Sequence, residues 1–396
     1  MADKKHEGLR TVKTNREELQ KKIRQHRKKV FRNTLLILLA FVVVLGALSY
    51  IYSRRSYTEY EIKSIKEKEN TNLANYVEFG DYIIEYSNDG IWCTTKGGEL
   101  VWNQSYEMSS PDIDVCGEYI TVYDQGGKLL YILSVQGMQK QIETTSPIIQ
   151  VRIAGQGTVA VLMKENNEAQ VKLFDKKGKE LANGKFYDSK GCIPMGIAIS
   201  PDARKMAVTM LDITGKEVGS AITFYNFDTV GQNEIDNNVG TYEFSHMLIP
   251  EIDFLNDNCL IALGTEKVIL FQGSQKPDIA QSINLLGEVK SYFYNEKYIG
   301  IVYDGEKTGE SLVRVVDHKG KTVMECNTTL VYDSIGFLSN GEVCITNDTQ
   351  CEIYTKGEIL KFSYTFDREI CHIIANGKGQ NYIFVFRETT EEVRLR

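Results

Sequence analysis

No charged residue stands between Arg32 and Arg54, a run of 21 positions with an apolar heart from Leu35 to Leu48. A helix of about 19 residues rises roughly 28 Å, which matches a hydrocarbon core of about 30 Å. As a core helix of a water-soluble protein the run would need other helices to cover it, and no later segment has a helical period. As a cleaved export signal it is too long, although Ala47-Leu48-Ser49 has the small-residue spacing a signal peptidase accepts. The run is therefore expected to stay as a transmembrane helix over 34–53, with Tyr50 and Tyr52 at the interface. Residues 1–33 hold 12 Lys or Arg against 4 Asp or Glu. The positive-inside rule then places the N-terminus in the cytoplasm and the chain from about residue 54 outside, giving a single-pass cell-membrane protein with its bulk extracytoplasmic. Thr14 and Glu17 form a capping box that opens a short basic helix. Its expected partner is anionic lipid, at about 1 kcal/mol per nearby cation.

Residues 56–396 hold 32 Lys or Arg against 49 Asp or Glu, a net of −17. An acidic outer part excludes nucleic acid as its partner and favours a basic one. All eight cysteines lie in this part, scattered from Cys93 to Cys371, too widely for a staple framework. Only "CITNDTQC" has a pairable look: if Asn347-Asp348 is the turn, Cys344 and Cys351 face each other across a hairpin.

From about residue 75 the apolar period is two. Short runs such as "EYITVYD", "TVAVLMK", "KVILFQG" and "NYIFVFRE" alternate with turn signals such as "NDG", "DQGG" and "SNGE". A unit recurs, with first strands at "YVEFG", "DIDVCG", "IQVRIAG", "GIAISPD", "EIDFLND", "SYFYNEK", "SIGFLSN" and "CHIIANG". The starts lie about 40 residues apart, the length of a four-stranded propeller blade. The expected fold is all-β: an eight-bladed β-propeller over 75–396, with seven blades as the alternative, preceded by the one transmembrane helix. The final unit is one strand short. Upstream, in the 54–74 linker, "YTEYEIKSI" alternates Tyr60 and Ile62 against Glu59, Glu61 and Lys63. This segment, 57–65, is expected to pair with the last blade, closing the ring and removing two open edges.

"TKGGELVW", Thr95 to Trp102, resembles the blade hairpin of quinoprotein-like propellers, where a glycine turn precedes a docking Trp. "ISPDARKMAVTML", from Ile199, resembles the strand–turn–strand of WD40 and TolB-type propellers. The whole plan resembles an uncharacterised family of bacterial proteins with one N-terminal membrane helix and an exported propeller. Those propeller families include envelope-assembly scaffolds and quinone enzymes. This chain departs from the enzymes, since it has only Trp92 and Trp102 and so lacks the repeated docking Trp.

No nucleophile elbow, P-loop or dinucleotide fingerprint occurs. The five histidines are scattered. The loop Asp304–Glu310 holds three acids without the order of a calcium loop, so a solvated hairpin is expected. The polar insertion 227–240 sits in the longest unit. No catalytic, cofactor-binding or metal-binding set is assigned, and no cofactor is called for. The inner-strand polar residues Asp112, Asp114, Asp253 and His372 are the ones to inspect for channel chemistry, with a hydrogen-bonded lining as their ordinary role. The reading is a membrane-anchored scaffold or ligand-sensing module that binds the bilayer through its helix and tail, and a protein or envelope component through its propeller face. An exported hydrolase, lyase or oxidoreductase with a channel site is the alternative.

Overall fold

The computed structural model describes residues 16–68, 74–187, 191–213, 218–377 and 379–396. Thr14 of the capping box lies outside them. The chain divides into two compact units, residues 1–56 and 57–396.

Among its described residues the first unit holds one helix, Arg16–Ser53. Its stretch Leu19–Gly46 is long and apolar enough to cross a membrane by length and composition. Ten apolar side chains between Leu35 and Leu45 are each at least half exposed.

The second unit is an eight-bladed propeller of four-stranded antiparallel sheets. Seven blades are contiguous in sequence: 75–105, 111–143, 148–187, 192–245, 251–284, 289–328 and 334–365. The eighth combines 370–395 with Tyr60–Glu67. All eight first strands fall where the repeat places them. They lie against one another around the axis, so each blade's first strand is its inner one. Two short 3₁₀ turns, Gly231–Asn233 and Ile235–Asn237, are the only helical elements described beyond Ser53. They belong to the insertion 227–240, which borders a cavity of about 330 Å³ between blades 3 and 4.

The core is not one mass but eight apolar clusters, one at each interface between neighbouring blades. This follows from the period-two pattern: residues on the two faces of each sheet must both be covered, and the neighbouring blades cover them. Blades 4 and 5 are tied further by buried Lys205, whose Nζ donates to the Ser274 carbonyl at 3.1 Å. Trp102 docks between blades 1 and 2, its Nε1 donating to the Val135 carbonyl at 3.0 Å.

The strand from the linker closes the ring. Tyr60 pairs with Leu395, Ile62 with Val393 and Glu67 with Thr389. Tyr57, just ahead, is buried and donates its backbone N–H to the Lys361 carbonyl of blade 7 at 2.7 Å. The Tyr60 ring lies 5.1 Å from Tyr364 and 5.2 Å from Phe384, so the strand also seals the interface of blades 7 and 8. Beneath it, the buried carboxylate of Glu391 is held by Arg368 at 2.5 Å.

Because strands reverse within a blade, hairpins joining first to second and third to fourth strands lie at one end of the ring. Second-to-third hairpins and the connections between blades lie at the other, here called the loop end. The closing strand runs from Tyr60 beside Leu395 toward Glu67 beside Thr389, so the chain enters the ring away from the loop end.

Cys344 and Cys351 are free and do not sit opposite each other. The register sets Cys344 against Ile353 and Cys351 against Thr346, because the hairpin turns one residue later than Asn347-Asp348: the Asn347 N–H donates to the Gln350 carbonyl at 3.0 Å, leaving Asp348-Thr349 as the turn. The two thiols are diagonal neighbours in the apolar core of blades 7 and 8, and burial pushes Cys344 well above the ordinary thiol range.

Candidate functional site

An inner strand is an edge strand. Its outward N–H groups have no ladder partner, and short polar side chains are the natural means of satisfying them. The first strands carry polar residues two apart, hence on one face: Asp112 and Asp114, Gln150 and Arg152, Glu251 and Asp253.

The ring brings several of these together. Asp114 accepts the Ile153 N–H of the next blade at 2.7 Å and faces Arg152 at 3.5 Å. Gln150 does the same one blade on, accepting the Ile197 N–H at 2.8 Å. Across the axis, Asp253 accepts the Phe254 N–H at 2.8 Å and the Tyr294 hydroxyl at 3.2 Å, while Glu251 accepts the same hydroxyl at 2.9 Å. Burial, helped by the nearby Asp253 charge, pushes the Asp114 carboxyl up to about 6 against the pull of Arg152 and the Ile153 N–H. Asp253 is raised as well, by burial first, with Arg152 opposing. Arg152 loses charge stability to burial, but Asp114 and Asp253 more than restore it, so it stays a cation. Its Nε is buried without a partner.

The structure thus joins Asp114 and Asp253 around Arg152 and leaves the other two inspected residues apart. Asp112 stays within its own blade, accepting the Tyr123 hydroxyl at 2.5 Å and the Ile113 N–H at 2.8 Å. His372 stacks on Tyr76 with ring centroids 6.4 Å apart. Arg152, Gln150, Glu251 and Tyr294 were not singled out from the sequence. The signal was present as the shared i, i+2 spacing of polar residues on first strands. The Asp304–Glu310 loop is a second-to-third hairpin of blade 6, closed by the Gly305 N–H on the Glu310 carbonyl at 2.9 Å and by Lys307 on the Glu310 carboxylate at 3.2 Å.

Chemically the cluster reads as stitching. Both Asp114 oxygens are engaged, one on a backbone N–H and one on a guanidinium. Such a set fixes neighbouring inner strands to each other; it holds a charge pair rather than presenting a free base.

Burial lowers the pKa of His372 to about 4, so the ring is neutral at pH 7. The folded value lies below the unfolded one of about 6.5, so the unfolded chain binds the proton more readily. The contribution of His372 is therefore complete above about pH 6.5 and is lost as pH falls toward 4. Asp114 acts oppositely: its raised value makes the fold bind a proton between about pH 4 and 6, which adds stability on acidification. In His372→Phe, which keeps a ring against Tyr76, denaturant melts at pH 7 and pH 4.5 should differ by about 2 kcal/mol in favour of the acid side relative to wild type. An unchanged pH profile would show that His372 is not buried neutral.

The fold is shared with known propellers. Sqt1 of Saccharomyces cerevisiae superposes with a TM-score of 0.51 at 9% identity, over 85% of this chain and 98% of that one. BamB of Moraxella catarrhalis gives 0.49 at 12% identity, over 85% of this chain and all of that one. At 9% identity the likeness to Sqt1 speaks for the fold alone. No curated protein matches the sequence. Residues 53–395, the closing strand and the whole ring, match the profile of a family of unknown function, DUF5711, and the chain belongs to that family.

Proposed function

We propose that the protein is a single-pass membrane protein that carries its propeller outside the cytoplasm as a binding platform for a protein or envelope component. The observation that carries this reading is the helix. Ten apolar side chains from Leu35 to Leu45 stand at least half exposed along it. At about 1.5–3 kcal/mol each, leaving them in water would cost more than the whole stability of an ordinary domain. A bilayer removes that cost, and the 12 cations of residues 1–33 favour the cytoplasmic side for the tail. The domain boundaries proposed are a basic tail over 1–33, a membrane span over 34–53 and a propeller from the closing strand onward. A closed propeller offers a broad rigid face without needing catalytic groups. The net of −17 outside suits a basic partner surface, and exposed charges make such association fall with salt.

The second reading is a channel enzyme. The observation favouring it is the Asp114 carboxyl, pushed up to about 6 beside Arg152. The hydrogen bonds that occupy both its oxygens weigh toward the platform.

Protease added to intact cells tests the topology. The expected result is digestion of the propeller with residues 1–33 spared. A mature protein beginning near Tyr50 would overturn the anchor and establish a cleaved signal.

A further inference from the structure

The seam between blades 8 and 1 is where the ring closes, and its apolar cluster is the smallest of the eight: Ile83, Ile374, Ile383 and Val385. Beside it lies a cavity of about 200 Å³. Its floor is one cross-strand row on a single face of blade 1. Tyr76 pairs with Glu85, Glu85 with Trp92, and Trp92 with Asn103. Its roof is a matching row on blade 8, where Val385 pairs with Thr390 and Thr390 with Lys66 of the closing strand. Gly98 sits on the rim at φ +79°, a left-handed turn position, and a Cβ there would meet the Lys66 side chain at 2.9 Å. The close approach of the two rows is therefore set by the turn "KGG".

Glu85 makes the cavity chemically specific. Its residue is 8% exposed, deep between strands. One carboxylate oxygen is bound by Lys68 at 3.0 Å, and the Tyr76 hydroxyl lies against the same carboxylate as a hydrogen-bonding neighbour. The other, Oε1, is buried with no hydrogen-bond partner. Lys68 also donates to the Tyr76 hydroxyl and lies 4.5 Å over the Tyr76 ring, so its position is fixed. An unpaired carboxylate oxygen at this depth costs about 1–3 kcal/mol, and a donor that reaches it recovers that amount. Apolar walls stand beside it: the planar Trp92 indole, and Ile83, Leu100 and Val385. Lys68 already neutralises the carboxylate, so the missing donor need not carry charge.

We propose that this seam cavity binds a small flat aromatic molecule that bears one O–H or N–H donor, with the donor on Glu85 Oε1 and the ring against Trp92. A molecule held there touches the closing strand, blade 8 and blade 1 together. It binds the closed ring and not an opened one, so it raises the melting temperature in proportion to its occupancy.

Phenol and anisole form the test, because they share shape and differ in the donor. Each is titrated into the full-length protein in detergent, with tryptophan emission excited on its red edge, where neither probe absorbs, and with the melting temperature read in parallel. The expected result is a saturable response to phenol and binding of anisole weaker by about fivefold or more. Glu85→Gln keeps the shape and should bring the two probes to within about twofold of each other, a difference worth under about 0.5 kcal/mol. Leu100→Phe, which narrows the rim, should weaken both. Anisole binding as well as phenol in the wild-type protein would overturn the proposal. So would a response to neither probe in a protein with an unchanged melting curve, or a phenol preference that persists in Glu85→Gln.

Discussion

A protein lacking residues 57–67 should melt at least about 10 °C below the full chain. The segment contributes little buried surface of its own beyond two tyrosines, but those two matter. Tyr57 is buried against blade 7, and Tyr60 sits within a ring cluster that includes Tyr364 and Phe384. Losing a well-packed aromatic ring costs about 3 kcal/mol or more. Two of them, at roughly 2 °C per kcal/mol for a chain of this size, already reach the figure. Further losses come from the ladder with Thr389–Leu395 and from Glu391, whose covering strand would be gone. The deletion also leaves an open outer edge on blade 8, which invites pairing between copies, so aggregation should accompany the melt. A melting temperature within about 2 °C of the full chain would show that the segment is a tether and that blade 8 stands with three strands.

The ring was legible because its punctuation is chemical. Turns such as "NDG" and "SNGE" demand glycine or Asn, and the strands between them are β-branched and aromatic. The last unit shows three strand-like runs, and "EYEIKSI", which pairs with the third, has the alternation of an outer strand. Register was not legible. A turn at Asn347-Asp348 would set Cys344 opposite Cys351; the turn at Asp348-Thr349, one residue later, moves them to the diagonal. Contacts between blades were harder still. Arg152 in "IQVRIAG" reads as an ordinary solvent-facing cation until ring closure brings Asp114 from one blade and Asp253 from another toward it. Glu85 was hidden for the same reason. In sequence it is one acid in an apolar strand, and only the Tyr76–Glu85–Trp92 row and the closing strand above it reveal a buried oxygen without a partner.

Binding is expected on the loop end and not in the channel. Exposed acids gather there on neighbouring loops: Glu266 on the second-to-third hairpin of blade 5, Glu288 between blades 5 and 6, and Asp333 between blades 6 and 7. Leu286 and Val331 stand exposed beside the last two. The closing strand begins at the opposite end, at Tyr60 beside Leu395. Reversing the three acids to Lys should lower the affinity for a basic partner by about tenfold or more, chiefly through slower association. Asp114→Asn and Asp253→Asn remove the channel carboxylates without touching the loop end. The deciding measurement is photocrosslinking from positions 286 and 331 in intact membranes, made in all three backgrounds. The predicted result is one partner adduct in the wild-type protein, kept in the channel double variant and lost in Glu266→Lys/Glu288→Lys/Asp333→Lys. An adduct that survives charge reversal and disappears when Asp114 and Asp253 are substituted in a folded protein would contradict the account and move the function into the channel.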